Sequence, residues 1–349
     1  MTTTALHQVR RLPSWAPWAV LAGSVAVAVA VLALGGTPSV AGVGFLTAVV
    51  FAPLLTAISW QVEGSRRAKD RLATTLVTAA FVVAMVPLVT LVWTVVAGGV
   101  RAFSWEFLST DMVGIFGQMT EGGAYHAIIG TLYVTGIASL IAIPLGIFTA
   151  IYLVEYGGGR AKRAITLLVD VMTGIPSIVA GLFAFTLFIV LFGPGYKSAL
   201  IGGIALAVLM TPVVVRSVEE MLRLVPNELR EAAYALGVPK WLTIVKIVLP
   251  TSIAGITTGI MLSISRVIGE TAPLLITAGM ATSMNYNLFD GRMASLPVFV
   301  YTQYMNQGIP GSAYVDRAWA GALVLIVVVM ALNLIARIVA RVFAPKTAR

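Results

Sequence analysis

The sequence predicts an all-α integral membrane protein, a polytopic helical bundle of about eight transmembrane helices. Hydrophobic residues make up 59% of the chain and charged residues 11%, with a mean hydropathy of +0.96, whereas about a quarter of a soluble domain is charged. Charge-free stretches of about 20 residues, the length that spans hydrocarbon at 1.5 Å per residue, recur at 14–34, 41–62, 72–100, 127–154, 171–196, 198–215, 247–265 with a continuation to 279, and 318–336. The basic residues are also unevenly placed. With the N-terminus inside, 18 of the 23 Lys and Arg residues fall on the cytoplasmic side, from Arg10 and Arg11 to Lys346 and Arg349. Arg101, Lys197, Arg292 and Arg317 fall outside, and Arg266 lies within a span. The positive-inside rule then puts both termini in the cytoplasm. The net charge of +9 reports topology and anionic membrane lipid, and makes no case for nucleic acid.

The first span has a basic start, but its apolar run is longer than a signal-peptide core and a second span follows at once, so it reads as a retained anchor. Residues 1–62 form a two-helix membrane hairpin, 63–71 ("EGSRRAKDR") a basic cytoplasmic linker, and 72–349 a six-helix remainder. Outside, 101–125 offers Phe103, Trp105 and Phe107 to the interface. The segment 296–305 ("LPVFVYTQYM") is too short to span and reads as interfacial or re-entrant. Asp170 lies near the inner end of the fifth span. It pairs there with Arg160 or Lys162, or serves transport, while Pro176 bends the same span.

The long inside loop, 216–250, specifies helix, sharp turn, helix. Pro226-Asn227 gives a break and an N-cap, Glu228 and Glu231 occupy the first turn, and Gly237 is suited to a left-handed C′ position. Pro239 can open a second short helix and Pro250 the next span. Leu229, Ala232, Ala233 and Leu236 give this protrusion an apolar side for docking in a groove of a soluble partner.

Within that loop, "EAAYALGVPKWLTIVKIVLP" (231–250) resembles the cytoplasmic EAA loop of ABC-importer permeases, with Glu231, Ala232, Ala233, Gly237, Ile247, Leu249 and Pro250 in register. The resemblance implies that this is the coupling helix that seats in an ATPase subunit. "PLGIFTAIYLVEYG" (144–157), "PSIVAGLF" (176–183) and "SRVIGETAPLL" (265–275) narrow it to the phosphate-specific PstA family, over residues 72–349. The usual member has six spans, so residues 1–62 depart from the pattern. Implied partners are a PstC-like permease subunit, a PstB-like ATPase dimer, a PstS-like phosphate-binding protein, inorganic phosphate and membrane lipid. The implied location is the plasma (inner) membrane of a prokaryote. An ATP-independent anion channel or exchanger, and a non-transporting sensor of phosphate status, are the rival readings.

No Gly-x4-Gly-Lys-Ser/Thr loop occurs, so no cofactor is expected on this chain and ATP is left to the partner ATPase. His7 and His126 are isolated, which gives a metal site no support. No catalytic constellation lies within the spans, so the chain reads as a transport subunit and not an enzyme.

Arg266 and Glu270 are the expected substrate-pathway residues, with Gly269 and Thr271. A charge in mid-span is unfavourable by roughly 2.5–3.5 kcal/mol on insertion scales, so one that is kept has a task. If the seventh span runs unbroken from Thr251 to Gly279, Arg266 lies about 22 Å from its inner end. Glu270 then shares its face. Either the two form a structural ion pair, or the guanidinium fork holds an oxyanion while the carboxylate keeps that contact releasable. Gly269 would admit a close neighbour and Pro273 would bend the outer half.

Overall fold

The computed structural model describes residues 11–116, 119–309 and 311–343. His7, Arg10, Lys346 and Arg349 lie outside them. The chain divides into two compact units, 1–93 and 94–349. Among the described residues, seven helices are long and apolar enough to cross a membrane, and one bent pair makes up to eight.

The first unit holds α1 (Ala16–Leu34), α2 (Val40–Glu63) and most of α3 (Ser65–Gly99). Ser39 caps α2, its hydroxyl accepting from the Gly42 N–H at 3.1 Å. The expected linker is helical from Ser65. Gly64, at φ +89°, makes the turn in one residue, a backbone that a Cβ would disfavour. Glu63 then holds the turn closed, accepting from Arg71 Nε at 2.6 Å, Ser59 Oγ at 2.8 Å and the Leu12 N–H at 2.9 Å.

In the second unit, α4 (Trp105–Ser109) precedes α5 (Tyr125–Ile151), which ends in a π-helical turn, Tyr152–Tyr156. Then come α6 (Gly159–Thr173), α7 (Ser177–Phe192) and α8 (Ala199–Arg223). The inner loop holds α9 (Asn227–Ala235) and α10 (Lys240–Thr243), which passes through a second π-helical turn, Ile244–Val248, into α11 (Leu249–Val267). Three helices complete the unit: α12 (Ala272–Thr277), α13 (Leu296–Met305) and α14 (Ser312–Phe343).

α8 is the axis of this unit, since 67% of its apolar window is buried within the chain, against 28% for α5 and for α14. Small residues make that possible. Along α5, Ala138, Ala142, Gly146 and Ala150 recur every fourth position, and the three alanines are fully buried. A Cβ at Gly146 would lie 2.5 Å from Val214 Cγ1, and one at Gly203 would overlap Ile137. On α11, Gly259 abuts Ser217 of α8 in the same way. Lipid tails are as apolar as the helices, so such close backbone approach is what associates them.

Two expected spans are broken. The fifth is not one helix: α6 and α7 meet at 105°. Pro176 disfavours helical backbone at Ile175 and brings no N–H, so it ends α6 and becomes the N-cap of α7 without bending either. The seventh stops at Val267, and α12 resumes only at Ala272.

Phe107 is a core residue, only 3% exposed, and not an interfacial one. Its ring packs edge-on to Phe299 of α13 with centroids 6.3 Å apart. α13 itself is buried through Leu296, Val298 and Phe299. It is tied to α5 where the Leu296 N–H donates to Thr131 Oγ1 at 2.7 Å. Gly130 permits this seating, because a Cβ there would overlap the Ala294 carbonyl oxygen. Gly130→Val is therefore expected to destabilise the chain by about 1–3 kcal/mol through overpacking, with Gly136→Val, which meets open space, as the control. Thermal unfolding of the purified complex followed by intrinsic fluorescence checks this.

Candidate functional site

The loop after α8 is built by helix-termination chemistry. α8 runs past the expected end at Val215 to Arg223, so residues 216–223 of the 216–250 loop belong to that helix. Pro226 is the N-cap of α9 and Asn227 is its first helical residue, with no side-chain cap bond. Only Glu228 lies in the first turn. At the other end Gly237 has φ +77°, with the Gly237 N–H bonded to the Tyr234 carbonyl at 2.9 Å and the Val238 N–H to that of Ala233 at 3.1 Å. That pair of bonds is the Schellman motif, which needs a residue free to go left-handed. Pro239 then caps α10.

Pro250 does not begin the next span, because 240–267 is continuous helix. It lies just after the π-helical turn. Proline cannot donate to the carbonyl four residues back and crowds it, and a wider turn there accommodates both defects. Ile247 and Leu249 are half-buried and Pro250 is exposed. On α9, Ala233 is buried whereas Glu231 and Ala232 are exposed, as are Leu229 at 41% and Leu236 at 84%. Trp241, on α10, is 61% exposed. The protrusion thus presents an apolar tip on a fastened base.

The fastening is Arg230, which sequence reasoning counted only as a cytoplasmic charge. Its Nε and Nη2 donate to Glu155 Oε1 at 3.1 and 2.9 Å. Its Nη1 donates to the Val225 carbonyl at 2.6 Å and to Asn227 Oδ1 at 3.2 Å, and Nη2 donates to the Leu222 carbonyl at 2.9 Å. One guanidinium therefore joins the end of α8, the start of α9 and the π-helical turn after α5. Both side chains are nearly buried, at 12% and 5% exposure, so removing either would strand a desolvated charge. The signal was present in "IYLVEY", an acid in an apolar run that must find a cation.

A second network fixes α6 to α8. Asp170 pairs with Arg216, not with Arg160 or Lys162. Arg216 also donates to Glu219 at 2.9 Å, and Glu219 accepts from Arg223 at 2.5 Å. The α6–α7 break turns Asp170 toward α8, away from the basic start of its own helix.

Around Arg266 the expected geometry does not hold. Arg266 stands in the last turn of α11 and not at mid-helix, and the break over 268–271 removes the common face with Glu270. Among the described residues, no hydrogen bond or ion pair engages either side chain. Arg266 is exposed on this chain and Glu270 half-buried. Thr271 is half-buried at the N-cap of α12 and makes no side-chain cap bond. Pro273 is the second residue of α12, so the break precedes it. A Cβ at Gly269 would meet nothing of this chain, and the glycine of close approach is Gly181 on α7, where a Cβ would lie 2.6 Å from Pro273 Cα. Ser265 ties the end of α11 to α14 through Asn333 Oδ1 at 3.3 Å. An unpaired guanidinium is thus displayed beside a stretch of non-helical backbone within a membrane-embedded segment. Among the described residues no cluster of metal-ligating side chains occurs.

Residues 142–349 match the family described as "Binding-protein-dependent transport system inner membrane component". The chain is 50% identical over 292 residues to "Phosphate transport system permease protein PstA 1" of Mycobacterium tuberculosis (strain CDC 1551 / Oshkosh), covering 83% of this chain and 92% of that protein. It is 38% identical over 281 residues to "Phosphate transport system permease protein PstA" of Yersinia pestis, covering 78% and 90%. In fold it is similar to a bacterial alginate ABC transporter solved in complex with an alginate pentasaccharide-bound periplasmic protein, at TM-score 0.54 and 16% identity over 83% of this chain and 99% of that one. The multi-pass bundle and these matches agree, and the chain belongs to the binding-protein-dependent transport system inner membrane components.

Proposed function

We propose that the chain is the permease subunit of an ATP-driven phosphate importer of the inner membrane. It would form the translocation pathway with a second, PstC-like permease chain and couple it to a separate PstB-like ATPase dimer, while a PstS-like binding protein delivers phosphate from outside. Half-identity to a relative named for phosphate transport supports the substrate. The observation that carries the reading is Arg266, a guanidinium without a carboxylate partner, placed where α11 gives way to open backbone. Its planar fork matches two phosphate oxygens at once, and non-helical backbone such as that of 268–271 is tolerated in a membrane only where it lines protein or a hydrated cavity. The exposed face of Arg266 is offered to the second permease chain, so the pathway lies between the two.

In this reading the cytoplasmic termini follow from the basic-residue asymmetry. The apolar tip of α9 and α10 seats in the ATPase, which alone binds and hydrolyses ATP. ATPase closure draws the tips of the two permease chains together, and the Arg230 clamp carries that motion into α5 and α8. The pathway opens outward, the anion enters, and hydrolysis reverses the motion. Residues 1–62 serve as a peripheral anchor.

Arg266→Gln is expected to lower phosphate uptake by about 10- to 100-fold, the worth of a charge-assisted contact, with the complex still assembled. Arg266→Lys retains little, and Glu270→Gln slows uptake with the subunit folded. Radiolabelled phosphate uptake in proteoliposomes of the whole complex is the measurement, and near-normal uptake by Arg266→Gln would sink the pathway role. Uptake that persists without the ATPase would favour a channel.

For coupling, Arg230→Gln, Glu155→Gln and Gly237→Val should each leave the bundle inserted but weaken ATPase co-purification and lower phosphate moved per ATP hydrolysed. The first two strand a buried charge at a local cost of about 3–5 kcal/mol, and the third forces a β-branched residue to positive φ. Normal stoichiometry in all three would remove α9 from the coupling role. A chain starting at Arg71 should assemble and transport at reduced yield, and complete loss of transport with normal assembly would place the hairpin in the pathway.

A further inference from the structure

In the same orientation, the outer face carries Glu106, Asp111, Glu121, Asp290 and Asp316 against Arg101, Lys197, Arg292 and Arg317, so it has no general attraction for anions. Arg317 is withdrawn from it, buried and bonded to Gln303 Oε1 at 3.1 Å and the Met119 carbonyl at 2.7 Å. Lys197 and Arg292, however, converge on one point. A Cβ at Gly279 would lie 3.2 Å from Lys197 Cδ, 3.5 Å from its Nζ and 3.6 Å from Arg292 Cγ. Gly279, at φ +77°, is the C′ residue of α12, its N–H bonded to the Leu274 carbonyl at 2.8 Å. The Lys197 ammonium and the stem of Arg292 therefore flank Gly279, at the outer end of the segment whose inner end carries Arg266, and Lys197 feels the Arg292 charge. α12 spans six residues, about 9 Å of rise.

Both cations stand on fastened backbone. The Leu200 N–H donates to the Leu288 carbonyl at 2.9 Å, and the Tyr196 hydroxyl donates to the Phe289 carbonyl. These two bonds pin the Lys197 strand to the loop that leads to Arg292. The Met293 N–H donates to the Ala278 carbonyl at 3.1 Å, and Asn285 Nδ2 donates to the Arg292 carbonyl at 3.2 Å. Lys197 Nζ reaches the Leu275 carbonyl at 3.4 Å and lies 5.9 Å from the centroid of the Phe185 ring. Among the described residues neither cation has a carboxylate partner. The nearby Asp290 turns Oδ1 onto the Gly291 N–H at 2.8 Å. Partial burial, and then the Arg292 charge, lower the Lys197 pKa, so the two cations repel one another where they stand.

Two neighbouring like charges without an acid between them, Lys197 half-buried and Arg292 exposed, favour a negative visitor. We propose that Lys197 and Arg292 form a reception site for an inorganic oxyanion at the outer mouth of the pathway, from which the anion passes along α12 to Arg266. This rests on the phosphate reading above and adds a first stop to it. A purely structural role for Lys197, donating to the end of α12, leaves Arg292 without a task.

The test is the phosphorus NMR line of inorganic phosphate titrated with the assembled transporter in the absence of binding protein, run with native Arg266 and with Arg266→Gln. The line should broaden in both, and the Lys197→Gln/Arg292→Gln pair should cut that broadening by about tenfold, in the range expected for loss of local charge focusing. Arg292→Gln alone, which breaks no hydrogen bond, should weaken it, and the Lys197→Arg/Arg292→Lys pair should retain it. Unchanged broadening in the double Gln variant, with uptake by the unaltered complex intact, overturns the reception site alone. If the double variant instead loses affinity for the binding protein while phosphate broadening stays the same, the two cations dock protein carboxylates and the proposal is again overturned. An unaltered complex that neither broadens the line nor takes up phosphate removes the phosphate reading and this site with it.

Discussion

Everything in the second unit depends on how closely α5 and α11 can approach α8. Within lipid no hydrophobic gain drives helices together, and contact dispersion has to do it, falling off steeply with distance. The α5 stripe of Ala138, Ala142, Gly146 and Ala150 lets Val134 and Ile137 reach Gly202 and Gly203 on α8. Gly255 and Gly259 do the same for α11 against Met221 and Ser217. With α8 so enclosed, its inner end becomes a fixed post, and it is onto this post that Arg216, Glu219, Arg223 and the carbonyls accepting from Arg230 are built.

Charge placement then separates structure from function. Among the described residues the buried acid side chains each have a guanidinium: in the second unit Glu155 with Arg230 and Glu219 with Arg216 and Arg223, and in the first Glu63 with Arg71. The desolvation cost of such groups makes pairing close to obligatory, so these pairs report folding. Arg266 and Arg292 are exposed on this chain and Glu270 and Lys197 half-buried, so the rule does not bind them, and in the proposed mechanism they line the route of the anion. A site that must bind and release cannot keep its charge neutralised by its own chain, and the contrast between paired and unpaired cations within one bundle marks where the ligand is expected.

Local chemistry was legible in the sequence, and distant chemistry was not. The left-handed turn at Gly237, the helix-turn-helix around it and the number of apolar segments follow from residue type and spacing, which act over a few positions. The Glu155–Arg230 clamp joins residues 75 apart, and no periodicity encodes which of several cytoplasmic cations an isolated acid will meet. Errors at Arg266 and Asp170 had a shared cause. Hydropathy sees a run of apolar residues and not its direction, so Gly174-Ile-Pro and Gly269-Glu-Thr-Ala-Pro were read as bends within spans when each ends one helix before its proline starts or caps the next. The Arg266–Glu270 pairing inferred from i to i+4 spacing fell with the unbroken helix assumed to carry it.

The π-helical turns complete the mechanical picture. One follows α5 and contains Glu155, and the other joins α10 to α11 just ahead of Pro250. They lie on either side of α9 in the chain, so under the proposed coupling a displacement of α9 would reach the bundle by two routes, through the Arg230 clamp to α5 and through the Schellman turn and α10 to α11. α11 then runs, without a further break, to Arg266. A rigid helix of 19 residues is about 28 Å long, so a small rotation at its inner end becomes a displacement of its last turn, where the guanidinium stands. In the proposed mechanism that turn would move together with α14, to which Ser265 ties it, and the backbone opening after Val267 would spare α12, which packs against α7 at Gly181. Transport of the kind proposed needs one end of the site to move while the other stays fixed, and the break between Ile268 and Thr271 is where this chain separates the two.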